Sequence, residues 1–191
     1  MHFSEKDRFF MESAMELARE SFLKDEVPVG AVVVKENIII GRGRNTVIAD
    51  NDVSSHAEIN ALRSASKKLN NFRLNGCSIY VTLEPCHMCA KAIVDARLAE
   101  LVFAAKEPKT GSICSIDNFL ENKALNHLVK FKYGLGEEIS ANLLKDFFKQ
   151  KRYLEYFFHS CVRNTSIRTF IFSHCLVPRL FIKFYYVISC V

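Results

Sequence analysis

The sequence lacks any uninterrupted run of about 20 apolar residues, the length a helix needs to cross a bilayer, so no membrane span is predicted. Its opening residues, Met1-His2-Phe3-Ser4-Glu5-Lys6-Asp7, lack a charged segment followed by an apolar one, so no signal peptide is expected. There is no internal repeat and no low-complexity linker. Cysteine is present, but not in a pattern that suggests a disulfide framework. The count is seven, which is odd, and only one pair has close spacing. A reducing, cytoplasmic setting with metal-binding cysteines fits better. Acidic residues are missing from 161–191, which carry Arg163, Arg168, Arg179 and Lys183. Setting those four aside leaves 22 basic residues against 21 acidic, so the net charge of +5 is no evidence for a nucleic-acid partner.

What remains is ordinary globular material. At 191 residues one domain is the default, and 49% hydrophobic residues suffice for one core. Residues 4–25 read as a first helix, with Ser4 and Asp7 as a capping box. Val29 to Val34 and Ile38-Ile39-Ile40 read as a hairpin turned at Lys35-Glu36-Asn37. Gly41-Arg42-Gly43-Arg44-Asn45 reads as the start of a polar loop. A second helix is expected over 55–69, capped by Ser54 or Ser55. Ile79 to Leu83 is a strand, and Cys86 to Arg97 a third helix with Pro85 at its start. Further elements are a strand at 101–105, a short helix at 116–120, a strand at 128–131 and a long amphipathic helix over 137–158. On that last helix Ile139, Leu143, Phe147, Leu154 and Phe158 share a face. The alternation implies a sheet with helices on both faces. Residues 160–191, aromatic and basic, read as an atypical extension that the domain over 1–159 does not need. A membrane-surface or partner-docking segment is the other reading.

One constellation carries chemistry. Cys86 and Cys89 are three apart, which in a helix puts them on one side within a turn. The helix start favours thiolate there. With His56 they make three ligands, and a tetrahedral zinc ion then keeps one position open, as catalytic sites do. Two thiolates and a neutral imidazole balance the ion's charge, and a water there can fall in pKa from about 15.7 towards 7. Glu58, two residues past His56, is not expected to ligate and is placed to move protons. Competing readings are a redox pair and a closed structural site with Cys114 as fourth ligand. His87 is read as facing elsewhere, and Cys77 as a small buried residue.

His56-Ala57-Glu58 with Pro85-Cys86-His87-Met88-Cys89 resembles the signature of the zinc cytidine/deoxycytidylate deaminase superfamily. The flanking segments Glu26 to Val32, Leu83 to Cys86, Lys109-Thr110-Gly111 and Asp146-Phe147-Phe148 are most similar to the bacterial tRNA-specific adenosine deaminases. The likeness covers roughly residues 3–155. It implies a three-layer α/β/α cytidine-deaminase-like fold with a mixed five-stranded sheet, and one Zn2+ per subunit on His56, Cys86 and Cys89. It implies hydrolysis of adenosine to inosine at the wobble position of a tRNA anticodon stem-loop, by zinc-activated hydroxide with Glu58 as proton shuttle. An anticodon loop presents splayed bases that such a pocket can take. Asn45, Ala57, Glu107 and Lys109 are the implied substrate contacts, and a homodimer is implied. Glu107 stands where an aspartate is usual, and Val53 where a proline is common. On the last long helix Phe147 is expected in the core. Phe148 and Arg152, among Lys145, Lys149 and Lys151, are expected to hold RNA. The alternatives are a deaminase of free guanine, cytosine or a nucleotide, and an inactive RNA-binding module.

Overall fold

The computed structural model describes residues 2–163, and side-chain surroundings as far as Tyr153. Helix α1 (Glu5–Leu23) begins on the expected capping box. The Asp7 N–H donates to Ser4 Oγ at 3.1 Å, and the Ser4 N–H donates back to the Asp7 carboxylate at 2.8 Å. Strands β1 (Gly30–Lys35) and β2 (Ile38–Arg44) form the hairpin. A short α2 (Val47–Asp50), which the sequence reading missed, leads to α3 (Ala57–Leu69). Then come β3 (Ser78–Leu83), α4 (His87–Asp95), β4 (Glu100–Ala105), a 3₁₀ turn at Phe119–Glu121, β5 (Lys130–Tyr133) and α5 (Glu137–Arg163).

The sheet order is β2-β1-β3-β4-β5, antiparallel across β2, β1 and β3, and parallel across β3, β4 and β5. The predicted mixed five-stranded sheet is therefore observed. Both faces are covered, which explains why β1, β3 and β4 are apolar almost throughout rather than alternating. Ala31, Val33, Ile79, Val81, Leu101 and Phe103 face α3 and α4 through Ala61, Ala65, Ile93 and Val94. The intervening Val32, Val34, Tyr80, Val102 and Ala104 face α1 through Phe10, Met11, Ala14 and Met15. Period-two alternation thus sorts one strand's residues into two cores.

The chain divides into two compact units, Met1–Leu144 and Lys145–Val191. The first holds the sheet, α1 to α4 and the first two turns of α5, where the Ser140 hydroxyl donates to the Thr82 carbonyl. The second, within the described residues, is the continuation of α5. Leu154 and Phe158 on that helix, and the predicted extension 160–191, lie outside the described side chains. Among the described residues no helix is long and apolar enough to cross a membrane.

Five expectations need correction. Gly41 to Arg44 do not open a loop; they extend β2 against α3. A Cβ on Gly43 would lie 2.2 Å from the Ala57 carbonyl oxygen, and one on Gly41 would lie 2.4 Å from that of Ala61. These glycines let strand and helix backbones approach, the same composition that suggested a loop. Neither Ser54 nor Ser55 caps α3: His56 holds that position, and both serine hydroxyls donate to Asp52. Cys86 precedes α4 as its N-cap, with Pro85 outside the helix. The last strand and the short helix sit later than expected, since Leu128 is exposed and unpaired in the sheet.

Candidate metal and catalytic site

Two helix starts converge on one point. His56 is the N-cap of α3, Cys86 the N-cap of α4, and Cys89 lies one turn into α4. His56 Nδ1 lies 3.8 Å from Cys86 Sγ and 3.5 Å from Cys89 Sγ. The three ligand atoms lie within 4.8 Å of one another. Around one tetrahedral zinc, with Zn–S near 2.3 Å and Zn–N near 2.05 Å, sulfur and nitrogen stand about 3.6 Å apart. The observed separations match that edge, and the donor set is the thiolate and imidazole chemistry a zinc ion takes. The three residues therefore fit a metal ion.

The electrostatics of these side chains alone favour thiolate at Cys86. Hydrogen bonding with Cys89, and after it with His56, outweighs burial to hold the Cys86 pKa down to about 4. The same pairing, with burial and the nearby Glu58, pushes the Cys89 thiol up. Cys86 raises the His56 pKa against the lowering effect of burial. Glu58 sits in the first turn of α3 and is 4% exposed. Burial raises its carboxyl pKa, opposed by backbone hydrogen bonding and by His56. A buried carboxyl lifted in this way can hold a proton and hand it on.

Position sets the other candidate ligands apart from this cluster. Among the described residues, the metal-capable cluster contains His56, Cys86 and Cys89 without Cys114. The Cys114 N–H instead donates to Glu84 at 2.7 Å. His87 is exposed and pairs with Asp117 at 2.7 Å. Cys77 is buried, as expected.

The other expected site residues are distributed as follows. Ala57 is the first residue of α3 and fully buried. Asn45 follows β2, is buried, and donates its amide to Glu26 at 3.2 Å. Glu107 is half-buried and accepts from the Lys109 N–H at 2.9 Å; the Lys109 side chain is exposed. Phe147 is buried, as expected of a core residue. Phe148, half-buried, meets its ring edge-on at 5.4 Å, and Arg152 is exposed.

Sequence reasoning missed two buried glutamates. Glu26 accepts from Asn45, from the Ile48 N–H at 3.3 Å and from the Ala49 N–H at 2.7 Å. Glu84 accepts from the N–H groups of Glu107, Ile113, Cys114 and Ser115 and from the Ser115 hydroxyl. The available signal was an acid set among apolar residues beside a proline: Glu26 before Val27-Pro28, and Glu84 between Leu83 and Pro85.

The profile of the MafB19-like deaminase family matches residues 4–152. A tRNA-specific adenosine deaminase of Aquifex aeolicus is 44% identical over 144 residues, 75% of this chain and 95% of that one. The chain belongs to the tRNA-specific adenosine deaminases. A solved chain from a study of A-to-I editing by tRNA:A34 deaminases at the wobble position is similar to this deaminase. It is 43% identical with a TM-score of 0.70, covering 71% of this chain and 99% of its own. A guanine deaminase from Nitrosomonas europaea is more distant: 25% identity, TM-score 0.65, covering 73% of this chain and 83% of its own. The cytidine-deaminase-like architecture expected from the sequence is thus shared with these neighbours.

Proposed function

We propose that this chain converts adenosine to inosine at the wobble position of a tRNA anticodon loop, consuming water and releasing ammonia. The observation that carries the reading is the His56, Cys86 and Cys89 triad with buried Glu58 beside it. It is supported by relatives named for adenosine deamination in tRNA. His56, Cys86 and Cys89 would hold one Zn2+ per subunit, and that ion, when bound, would supply the Lewis acidity that activates water at neutral pH. Glu58 takes a proton from water as the water oxygen bonds to C6 and delivers it to N1; it then passes the remaining hydroxyl proton to the amino group, and the C6–N bond breaks to release ammonia.

Ala57, between ligand and proton carrier, meets the base edge. Asn45, Glu107 and Lys109 contact the target nucleotide, while Phe148 and Arg152 hold the loop by stacking and charge. The anticodon stem-loop is the macromolecular substrate because an adenine paired in a duplex cannot enter such a pocket. The deaminase acts as a cytoplasmic homodimer.

The test is incubation of zinc-loaded protein with an anticodon stem-loop carrying wobble adenosine, and separately with free guanine, cytosine and adenosine. Inosine formed in the stem-loop alone supports the reading. Turnover of a free base with an unchanged stem-loop would overturn it in favour of the guanine-deaminase type.

A further inference from the structure

Glu84 is 3% exposed, and the chemistry at zinc makes no use of it. Its carboxylate sits at the end of β3, two residues before Cys86. The Ile113, Cys114 and Ser115 N–H groups converge on Oε1 at 3.0, 2.7 and 3.0 Å. The Glu107 N–H reaches Oε2 at 3.0 Å, and the Ser115 hydroxyl donates to the same oxygen. Three successive N–H groups aimed at one point form an anion-binding nest. Here the chain's own carboxylate fills it.

The same loop is tied to the metal ligand. Cys86 and Gly111 form a β-bridge, and Ser112 donates to the Pro85 carbonyl through its N–H at 3.0 Å and its hydroxyl at 3.1 Å. The approach is close enough that a Cβ on Gly111 would lie 2.4 Å from the Glu84 carboxyl carbon. Loop 107–115 therefore touches the Cys86 segment on one side and carries Glu107 and Lys109 at its start.

We infer that Glu84 is a positioning residue for substrate binding: its carboxylate fixes loop 107–115 against the Cys86 segment so that Glu107 and Lys109 meet the target nucleotide. The inference rests on the deaminase reading above. A carboxylate can accept all five donors. A glutamine cannot, because its NH2 group would face at least the Glu107 N–H and leave that donor unpaired.

The test uses Glu84→Gln and the milder Ser115→Ala in full-length, zinc-loaded protein with the anticodon stem-loop. Glu84→Gln should raise KM by about 10- to 100-fold with kcat and zinc content near wild type, and Ser115→Ala by about 3- to 10-fold. The double variant should show no larger KM than Glu84→Gln alone, because both substitutions cut one network. Amide exchange at Ile113, Cys114 and Ser115 should accelerate in Glu84→Gln while β3 amides stay protected. An active wild type whose variants keep its KM, or lose kcat and zinc together at constant KM, would overturn this inference alone. A wild type inactive on the stem-loop but active on a free base would overturn the deaminase reading, and this inference with it.

Discussion

Glu58 and Glu84 are both buried glutamates, 4% and 3% exposed, yet they differ in what surrounds them. Glu84 is saturated with donors, and those hydrogen bonds outweigh burial to lower its pKa. Glu58 is governed by burial, which raises its pKa, and it stands beside the three candidate ligands His56, Cys86 and Cys89. The surroundings of Glu84 therefore favour the anion, and those of Glu58 favour the protonated form that the proposed proton carrier needs. Glu58→Ala should keep one zinc per chain and lose about 10²- to 10⁴-fold in deamination rate, checked by metal analysis and single-turnover kinetics. His56→Ala should lose the metal itself, since two thiolates alone leave the tetrahedron half-built. The clustering of His56, Cys86 and Cys89 beside Glu58 was legible because chemistry-bearing side chains at fixed spacing leave a signature. Glu26 and Glu84 were not, because most of their partners are backbone N–H groups, which every sequence has.

At the scale of elements, periodicity placed α1, β1, β3, α3 and β4 to within a residue or two, since burial on one or both faces imposes it. It failed at β2, where glycine served close packing and not a turn. Gly43→Ala tests that account. The added methyl meets the Ala57 carbonyl oxygen at 2.2 Å and the Ala61 nitrogen at 2.3 Å, both backbone. Backbone cannot rotate aside, so α3 must shift, and a loss of about 1–3 kcal/mol is expected in chemical denaturation. Because α3 carries His56 and Glu58, zinc affinity should fall with it. A second test concerns how α1 is anchored. The Tyr80 hydroxyl on β3 donates to Asp7 at 2.7 Å. Burial raises the Asp7 pKa, but the bonds from Tyr80 and Ser4, with Lys132 nearby, bring it below its ordinary 3.8. A depressed carboxyl contributes stability that is present above its unfolded pKa and is lost as pH falls through the folded one. Asp7→Asn should therefore be less stable than wild type at pH 6, and the gap should close as pH drops below 3.8. Denaturant midpoints measured across that range decide it; a gap independent of pH would refute the carboxylate's role.

The whole molecule raises a question of charge. An enzyme acting on an anticodon loop needs local cations, yet the formal net charge of +5 includes Arg163, Arg168, Arg179 and Lys183, all beyond the family match at 4–152. Without them 22 basic residues face 21 acidic. Each protein cation that neutralises a phosphate steepens the salt dependence of binding, so the two sources of charge can be told apart. If Lys109, Phe148 and Arg152 hold the stem-loop, a chain ending at His159 should stay soluble and keep its zinc. It should also deaminate at the wild-type rate and show an unchanged slope of log affinity against log salt. If the terminal cations touch RNA instead, the truncated chain should lose affinity most at low salt, and its slope should flatten by up to about 0.7 per lost contact on a single strand. Arg152→Ala in the full-length chain then completes the comparison: it should flatten the slope if Arg152 holds the stem-loop, and leave it unchanged if the terminal cations do so instead.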